Sequence, residues 1–280
     1  MTPVSPAPLS YYHDFGQPPS GYCMRADPVH LRAVTSGLIL FDLVKSGITE
    51  QELFDLATDI SEHLAQDGFR LECRAGERWY LTGDTSQDVH AAPLSDAVGR
   101  ILRPTHLQGH DAQQWTRRLN EIQMLLSAHP VNRQRLAEGK VAINSLWLWG
   151  GGRWLAPLVS DCTGMTSDNP CVCGYAGASG MNLRQWDNGR ELADAHQAGE
   201  RQLVVYEACR RAAAYQDISD CSSALQMLEH GWLLPLTRAL ARGRFSELEL
   251  FPLNGFSYRI RRRDMLRFWQ RGADYRFTAW

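Results

Sequence analysis

Between Asn120 and Gly152 the chain carries more polar side chains than packing alone would require. Glu121 and Gln123 flank an apolar stripe, while His129, Asn132 and Arg135 cluster around a proline. Asn144 and Ser145 open an otherwise aliphatic and aromatic run that ends in Gly150, Gly151 and Gly152. An imidazole titrates near neutrality and can move a proton. A guanidinium grips a carboxylate or phosphate through parallel N–H donors. Consecutive glycines let the backbone come close to a ligand or to another chain segment. The candidates for binding a ligand are therefore Glu121, His129, Asn132, Arg135, Asn144, Trp149, Gly150 and Gly151, joined by Asp27 and His30 from DPVHL. Each also has a plain structural use. A histidine can bond a carbonyl at the end of an element, Asp27 before Pro28 can start a turn, and Arg135 can pair with Glu138 along a helix. Trp149 can line a pocket or fill a core.

Other chemistry is harder to assemble. The glycine run lacks the lysine of a phosphate-binding loop and the spacing of a dinucleotide fingerprint. Cys162, Cys171 and Cys173, with Asp161 or His196, lack the paired C-x2-C knuckles of structural zinc sites. No catalytic or metal-ligating set is legible.

These residues need elements to hold them. GYCMRADPVHL and GLILFDLV read as strands separated by Thr35-Ser36-Gly37. Thr49 with Glu52 forms a capping-box pattern before Leu53, Leu56, Ala57, Ile60 and Leu64 at helical spacing. FRLECR and RWYLTG read as a hairpin. A helix is expected over 111–128, broken at Pro130 and resumed to Gly139. VAINSLWLW is apolar enough for a central strand, with the glycines forming a turn behind it. Residues 161–189 read as irregular, followed by a helix, the strand QLVVYE, helix from Ile218 to Arg242 with Pro235 kinking or restarting it, two short strands and a terminal helix from Arg263. The expected organisation is a flexible arm over 1–20, a smaller α+β region over 21–110 and a layered α/β region over 111–280.

At 280 residues the chain can bury a sizeable core. A net charge of -2 gives no electrostatic case for nucleic acid or an anionic membrane. No apolar run approaches the length of a membrane span and the N-terminus lacks a signal-peptide pattern, so a cytoplasmic location is expected, with reduced cysteines.

RADPVHL (25–31), RWYL (78–81), NEIQMLL (120–126), HPVN (129–132) and INSLWLWGGG (143–152) resemble the signature blocks of a bacterial family. That family is described as phosphoglycerate mutase-like, or as the RpfE-type regulatory protein family, and the match covers residues 20–155. HPVNRQRLAEGKVAINSLWLWGGG is similar in turn to a block of archaeal-type cofactor-independent phosphoglycerate mutases. Those enzymes belong to the alkaline phosphatase superfamily and use a serine nucleophile beside two divalent metals held by Asp and His. The resemblance implies an α/β layered sheet related to that fold in reduced form. It carries over no metal site. The nucleophile and first metal motif of those enzymes precede the matched stretch. Their later Asp-Glu-x-x-His and Asp-His motifs correspond here to QLVVYEACRRAAAY and ELELFPLNG, and only His196 and His230 lie beyond residue 130. The function expected is that of a mutase-like regulatory protein binding a small anionic ligand or a protein partner around residues 129–152, without a cofactor. An active metal-dependent mutase or phosphatase, the one reading with divalent metal, and a pure protein-interaction or assembly factor are the alternatives.

Overall fold

The computed structural model describes residues 4–266 apart from 45, 104–105, 156–158 and 216–217. In chain order its elements begin with helix α1 (Pro6–Phe15), strands β1 (Tyr22–Val34) and β2 (Gly37–Phe41), α2 (Glu50–Ala65), β3 (Arg70–Ala75) and β4 (Arg78–Gly83). Next come α3 (Leu94–Ala97), β5 (Ile101–Leu102), α4 (Ala112–Ala128), α5 (Pro130–Ala137) and β6 (Ser145–Arg153). There follow β7 (Gly164–Ser167), α6 (Pro170–Ala178), β8 (Asn182–Leu183), α7 (Gly189–Ala195), β9 (Gln202–Val205) and α8 (Ala208–Ala214). Helix α9 (Ile218–Gln226), a π-helical stretch (Met227–Leu233), α10 (Leu234–Ala241), β10 (Glu247–Leu250) and β11 (Tyr258–Arg261) complete the order before a 3-10 turn at Arg262–Leu266. They group into two compact units, Met1–Arg184 with Arg201–Cys221, and Gln185–Glu200 with Ser222–Trp280.

Strand β1 is the spine of the first unit. Its first half pairs antiparallel with β4 on one side and β6 on the other, and its second half pairs with β2, which pairs with β5. Alternation along β1 gives the sheet two unlike faces. Tyr22, Met24 and Ala26 join Trp79, Leu81, Leu146 and Leu148 in a core with α2 and α4. The residues between them, Cys23, Arg25 and Asp27, are buried on the opposite face with Tyr80. Helix α2 starts as expected: the Thr49 N–H donates to Glu52 Oε2 at 2.7 Å and Thr49 Oγ1 accepts from the Glu52 N–H at 3.2 Å. Its apolar stripe and that of α4 (Trp115, Leu119, Ile122 and Leu126) are buried in that core.

Several expectations are corrected. Residues 6–15 are no flexible arm but a helix with Ala7, Leu9 and Tyr11 buried. It packs on α6, itself inside the stretch expected to be irregular and followed and preceded by short parallel strands in the order β8-β7-β9. The three glycines are not a turn. They lie within β6, where Gly152 pairs with Cys23. Among the described residues strand β6 pairs with β1 alone, so it is not central in its ladder. Its apolar content is explained by cover on both faces, since Leu146 and Leu148 meet the core while Trp147 packs with Val29 and Val98 on the other side. The seven cysteines are free thiols, with only Cys23 and Cys173 buried.

Glycine is required where α6 meets α1. A β-carbon at Gly174 would sit 1.9 Å from the Leu9 carbonyl oxygen. Gly174→Ala is therefore expected to push α1 off α6 and cost about 1–3 kcal/mol, as overpacking does. Amide hydrogen exchange of residues 6–15 checks this; exchange as slow as in the wild type would show that the helices can part without loss.

In the second unit a β-carbon at Gly189 of α7 would meet the Trp232 carbonyl at 2.7 Å and Leu236 at 2.8 Å, so α7 lies tight against the π-helical stretch and α10. Pro235 does restart the helix, one position into α10, with the wider π turns accommodating it. The hairpin β10–β11 is laced by Arg259 and Arg261 to Glu247 and Glu249. The terminal helix expected from Arg263 is a 3-10 turn as far as Leu266, and the rest of that expectation lies outside the described residues. Among the described residues no helix is long and apolar enough to cross a membrane.

Candidate functional site

Most of the polar residues that stand out in the sequence are tied into the backbone of the first unit. His129 caps α5, its Nδ1 accepting from the Val131 N–H at 3.2 Å, with Nε2 3.1 Å from Asp59. Asn132 donates to the Leu126 and Ile143 carbonyls at 2.8 and 2.7 Å and accepts from the Ile143 N–H at 2.8 Å. Arg135 is fully buried and bonds Glu52 Oε1 at 3.0 Å, the Ser46 carbonyl at 3.0 Å and the Val141 carbonyl at 2.8 Å. It does not pair with Glu138, whose partner is Lys140 at 2.7 Å. Asn144 accepts from the Leu31 N–H and donates to its carbonyl, so a side chain continues the ladder where β6 has not yet begun. His30 Nδ1 lies 2.9 Å from the Ala142 carbonyl. Glu121 is exposed, 3.3 Å from His63. Near Gly150 and Gly152 a β-carbon would meet Pro6 or Ser5, so the close approach these glycines permit is that of the chain leading into α1; at Gly151 it would strike the Tyr22 hydroxyl.

Asp27 and Trp149 do come together, through residues the sequence reading passed over. Arg25 and Asp27, two apart on β1, share a face; Arg25 donates from Nε at 2.9 Å and from Nη2 at 2.5 Å to Asp27 Oδ1. The Trp149 indole donates to Asp27 Oδ2 at 2.7 Å. The Arg25 guanidinium lies over the rings of Tyr80 and Trp149, 5.3 and 5.2 Å from their centroids. Asp27 is 1% exposed and Arg25 6%. Burial holds the Asp27 carboxyl above its usual range, against the pull of Arg25 and the Trp149 and Trp79 N–H donors. Burial is the largest influence on Arg25 and works to lower its pKa, but the Asp27 charge, Tyr80 and the hydrogen bond to Asp27 together outweigh it, so the guanidinium stays charged. Beyond Tyr80 the network runs on: its hydroxyl donates to Asp14 Oδ2, which Arg78 also holds, and Tyr11 and Thr82 both donate to Glu72.

An open cleft of about 170 Å³ lies beside the carboxyl end of β9. Open α/β sheets place ligands outside the carboxyl ends of their parallel strands. Glu207, two residues past β9, and Arg210, one helical turn on, supply part of the wall. Asp42 and Val44 after β2, Leu94, Ser95 and Val98 around α3, and Ala214 and Tyr215 at the end of α8 supply the rest. Asn169, which caps α6 after β7, donates to Glu207 Oε2 at 2.8 Å. Arg210 donates from Nη2 to Asp96 Oδ1 at 2.6 Å, while its Nη1 is 3.5 Å from Glu207 Oε1. Of the residues singled out in the sequence none lines this cleft. Its wall comes from segments far apart in the chain, and no spacing within one segment could reveal it.

Glu77, in the turn between β3 and β4, has its pKa pushed up to about 7 by burial and then by the charges of Asp42 and Asp27. A carboxyl whose folded pKa lies above its unfolded value of about 4.3 costs stability as it ionises. Stability should therefore fall as pH rises from about 4.5 to about 7, by about 1–2 kcal/mol once partial exposure is allowed for. Glu77→Gln is expected to remove that fall, equalling the wild type at pH 5 and exceeding it at pH 8 in urea denaturation. Parallel curves for the two proteins would show that Glu77 ionises without penalty.

Among the described residues no group of three or more His, Cys, Asp and Glu side chains could hold a metal ion. The cleft itself offers two carboxylates with a guanidinium beside them and no imidazole.

The chain is mixed α/β, and its sequence is distantly related to proteins named as 2,3-bisphosphoglycerate-independent phosphoglycerate mutases. It is 28% identical over 130 residues to a protein of Geobacter sulfurreducens named as a probable enzyme of that kind, covering 46% of this chain and 33% of the relative. It is 24% identical over 155 residues to the Methanosarcina mazei mutase, covering 52% of this chain and 38% of the relative. The chain thus spans about a third of the length of the curated relatives it matches. Among solved structures, the cofactor-independent phosphoglycerate mutase of Thermoplasma acidophilum is 20% identical, with 82% of this chain and 67% of that one covered at a TM-score of 0.42. No family model matches the chain.

Proposed function

We propose that this is a mutase-like protein without phosphoryl-transfer chemistry, acting in a regulatory role by binding a small ligand that presents an anionic group to Arg210. What carries the reading is the segment after β9. In the resembled mutases the corresponding stretch holds metal; here it reads YEACRRAAAY and gives the cleft Glu207, Arg210, Ala214 and Tyr215. A fixed guanidinium repels divalent cations and attracts a carboxylate or phosphate. The cleft is preferred to the region 129–152 because His129, Asn132, Arg135 and Asn144 there are engaged with backbone groups, Asp59 and Glu52.

The test is a thermal-shift and calorimetry screen of carboxylated and phosphorylated metabolites against the wild type, Arg210→Ala and the exposed control Arg133→Ala. Arg210→Ala should weaken any ligand found by tenfold or more, about 1.4 kcal/mol, with Arg133→Ala unchanged. Divalent-metal-dependent turnover of phosphoglycerate, or a ligand indifferent to Arg210→Ala, would overturn the proposal.

A further inference from the structure

The charges around the cleft restrict its ligand further, on the reading that it is a ligand site. Among the described residues Arg210 is the cation of the wall, which also carries the carboxylates of Asp42 and Glu207. Its Nη2 is committed to Asp96, whereas Nη1 has only the long contact to Glu207, which leaves a donor edge for one carboxylate. On the acidic side Glu207 Oε2 is held by Asn169 and Asp42 Oδ1 accepts from the Val44 N–H at 3.2 Å. Among the described residues Asp42 Oδ2 remains as an acceptor, and Glu207 Oε1 has only its 3.5 Å contact with Arg210 Nη1, which a ligand's two charged groups would exchange for bonds of their own. A phosphate would bring two negative charges to one guanidinium and two carboxylates, and like charges in partial burial repel. One carboxylate matched to Arg210, with a positive group matched to the acids, satisfies the wall on both sides.

Size and surface complete the description. About 170 Å³ is well below the roughly 300–1,000 Å³ of sites for drug-sized ligands, which matches the cleft to a small ligand. Val44, Leu94, Val98 and Ala214 give the cleft an apolar side. We infer that the cleft binds a small zwitterion with an apolar side chain, an aliphatic α-amino acid, its carboxylate on Arg210 and its ammonium on Asp42 and Glu207.

Calorimetry of the full chain with L-leucine, with isovalerate (no ammonium), with isoamylamine (no carboxylate) and with inorganic phosphate tests this. Leucine should bind at least tenfold more tightly than either half-ligand or phosphate. Asp42→Asn should weaken leucine and the amine while sparing isovalerate; Arg210→Gln should weaken leucine and isovalerate while sparing the amine. The comparison of ligands on the wild type stands even if a variant fails to fold. Isovalerate or phosphate binding as tightly as leucine would overturn the zwitterion and leave an anion-binding cleft. Absence of saturable binding by all four probes would overturn the cleft as a ligand site as well.

Discussion

Asp27→Ala is expected to destabilise the first unit by about 3–5 kcal/mol, the range found when one partner of a buried ion pair is removed. The carboxylate takes two bonds from Arg25 and one from Trp149, and both charged groups are almost completely out of water. Removing it strands a guanidinium between two aromatic rings with no other carboxylate bonded to it. The loss should far exceed that of the matching double replacement, Arg25→Met with Asp27→Ala, because a buried pair exchanged for apolar groups is often near neutral. Urea denaturation of the wild type, both single variants and the double variant measures the coupling. If Asp27→Ala costs less than about 1 kcal/mol, water or another carboxylate reaches Arg25 and the pair is not the centre of this face.

That pair shows what could be read from the sequence. Arg25 and Asp27 are two apart in a stretch that reads as a strand, so period-two alternation already places them on one face. The same rule predicts the hairpin β3–β4, and the Thr49–Glu52 spacing predicts the start of α2; all three depend on neighbours in the chain. Failures come where tertiary contacts decide. PAPLSYYHDF has the composition of a loose arm, yet it becomes a helix because Ala7 and Tyr11 find a pocket on the sheet and Gly174 admits the Leu9 backbone. The glycines of β6 look like a turn in isolation, but they extend the strand because β1 pairs with them and α1 needs the space above. The cleft is furthest from view. Asp42, Ser95 and Glu207 are ordinary loop or helix-end residues until β2, α3 and β9 bring them to one place.

Arg135 carries the second large prediction. A guanidinium suited to gripping a ligand anion is equally suited to gripping a carboxylate and two carbonyls of its own chain, and the sequence alone cannot separate the uses. With no exposed surface, Arg135 holds α5 to the Ser46 carbonyl, to the Val141 carbonyl and to Glu52. Arg135→Ala removes all three bonds and leaves two carbonyls without this donor. A loss of about 2–4 kcal/mol is expected, below the full buried-pair range because Glu52 keeps some contact with water. Arg135→Lys should recover little, since an ammonium cannot span three acceptors in the fork geometry. Against the effect of burial, bonds from the Thr49 backbone and then Arg135 hold the Glu52 carboxyl below its usual range. A lowered folded pKa gives stability that is present above the unfolded value and lost as pH falls. The wild type should therefore weaken from about pH 5 downward more steeply than Arg135→Ala. Denaturation midpoints at pH 7 and pH 4 test both points, and calorimetry of the folded variant should find cleft binding unchanged. An Arg135→Ala protein as stable as the wild type but unable to bind ligand would return the site to α5.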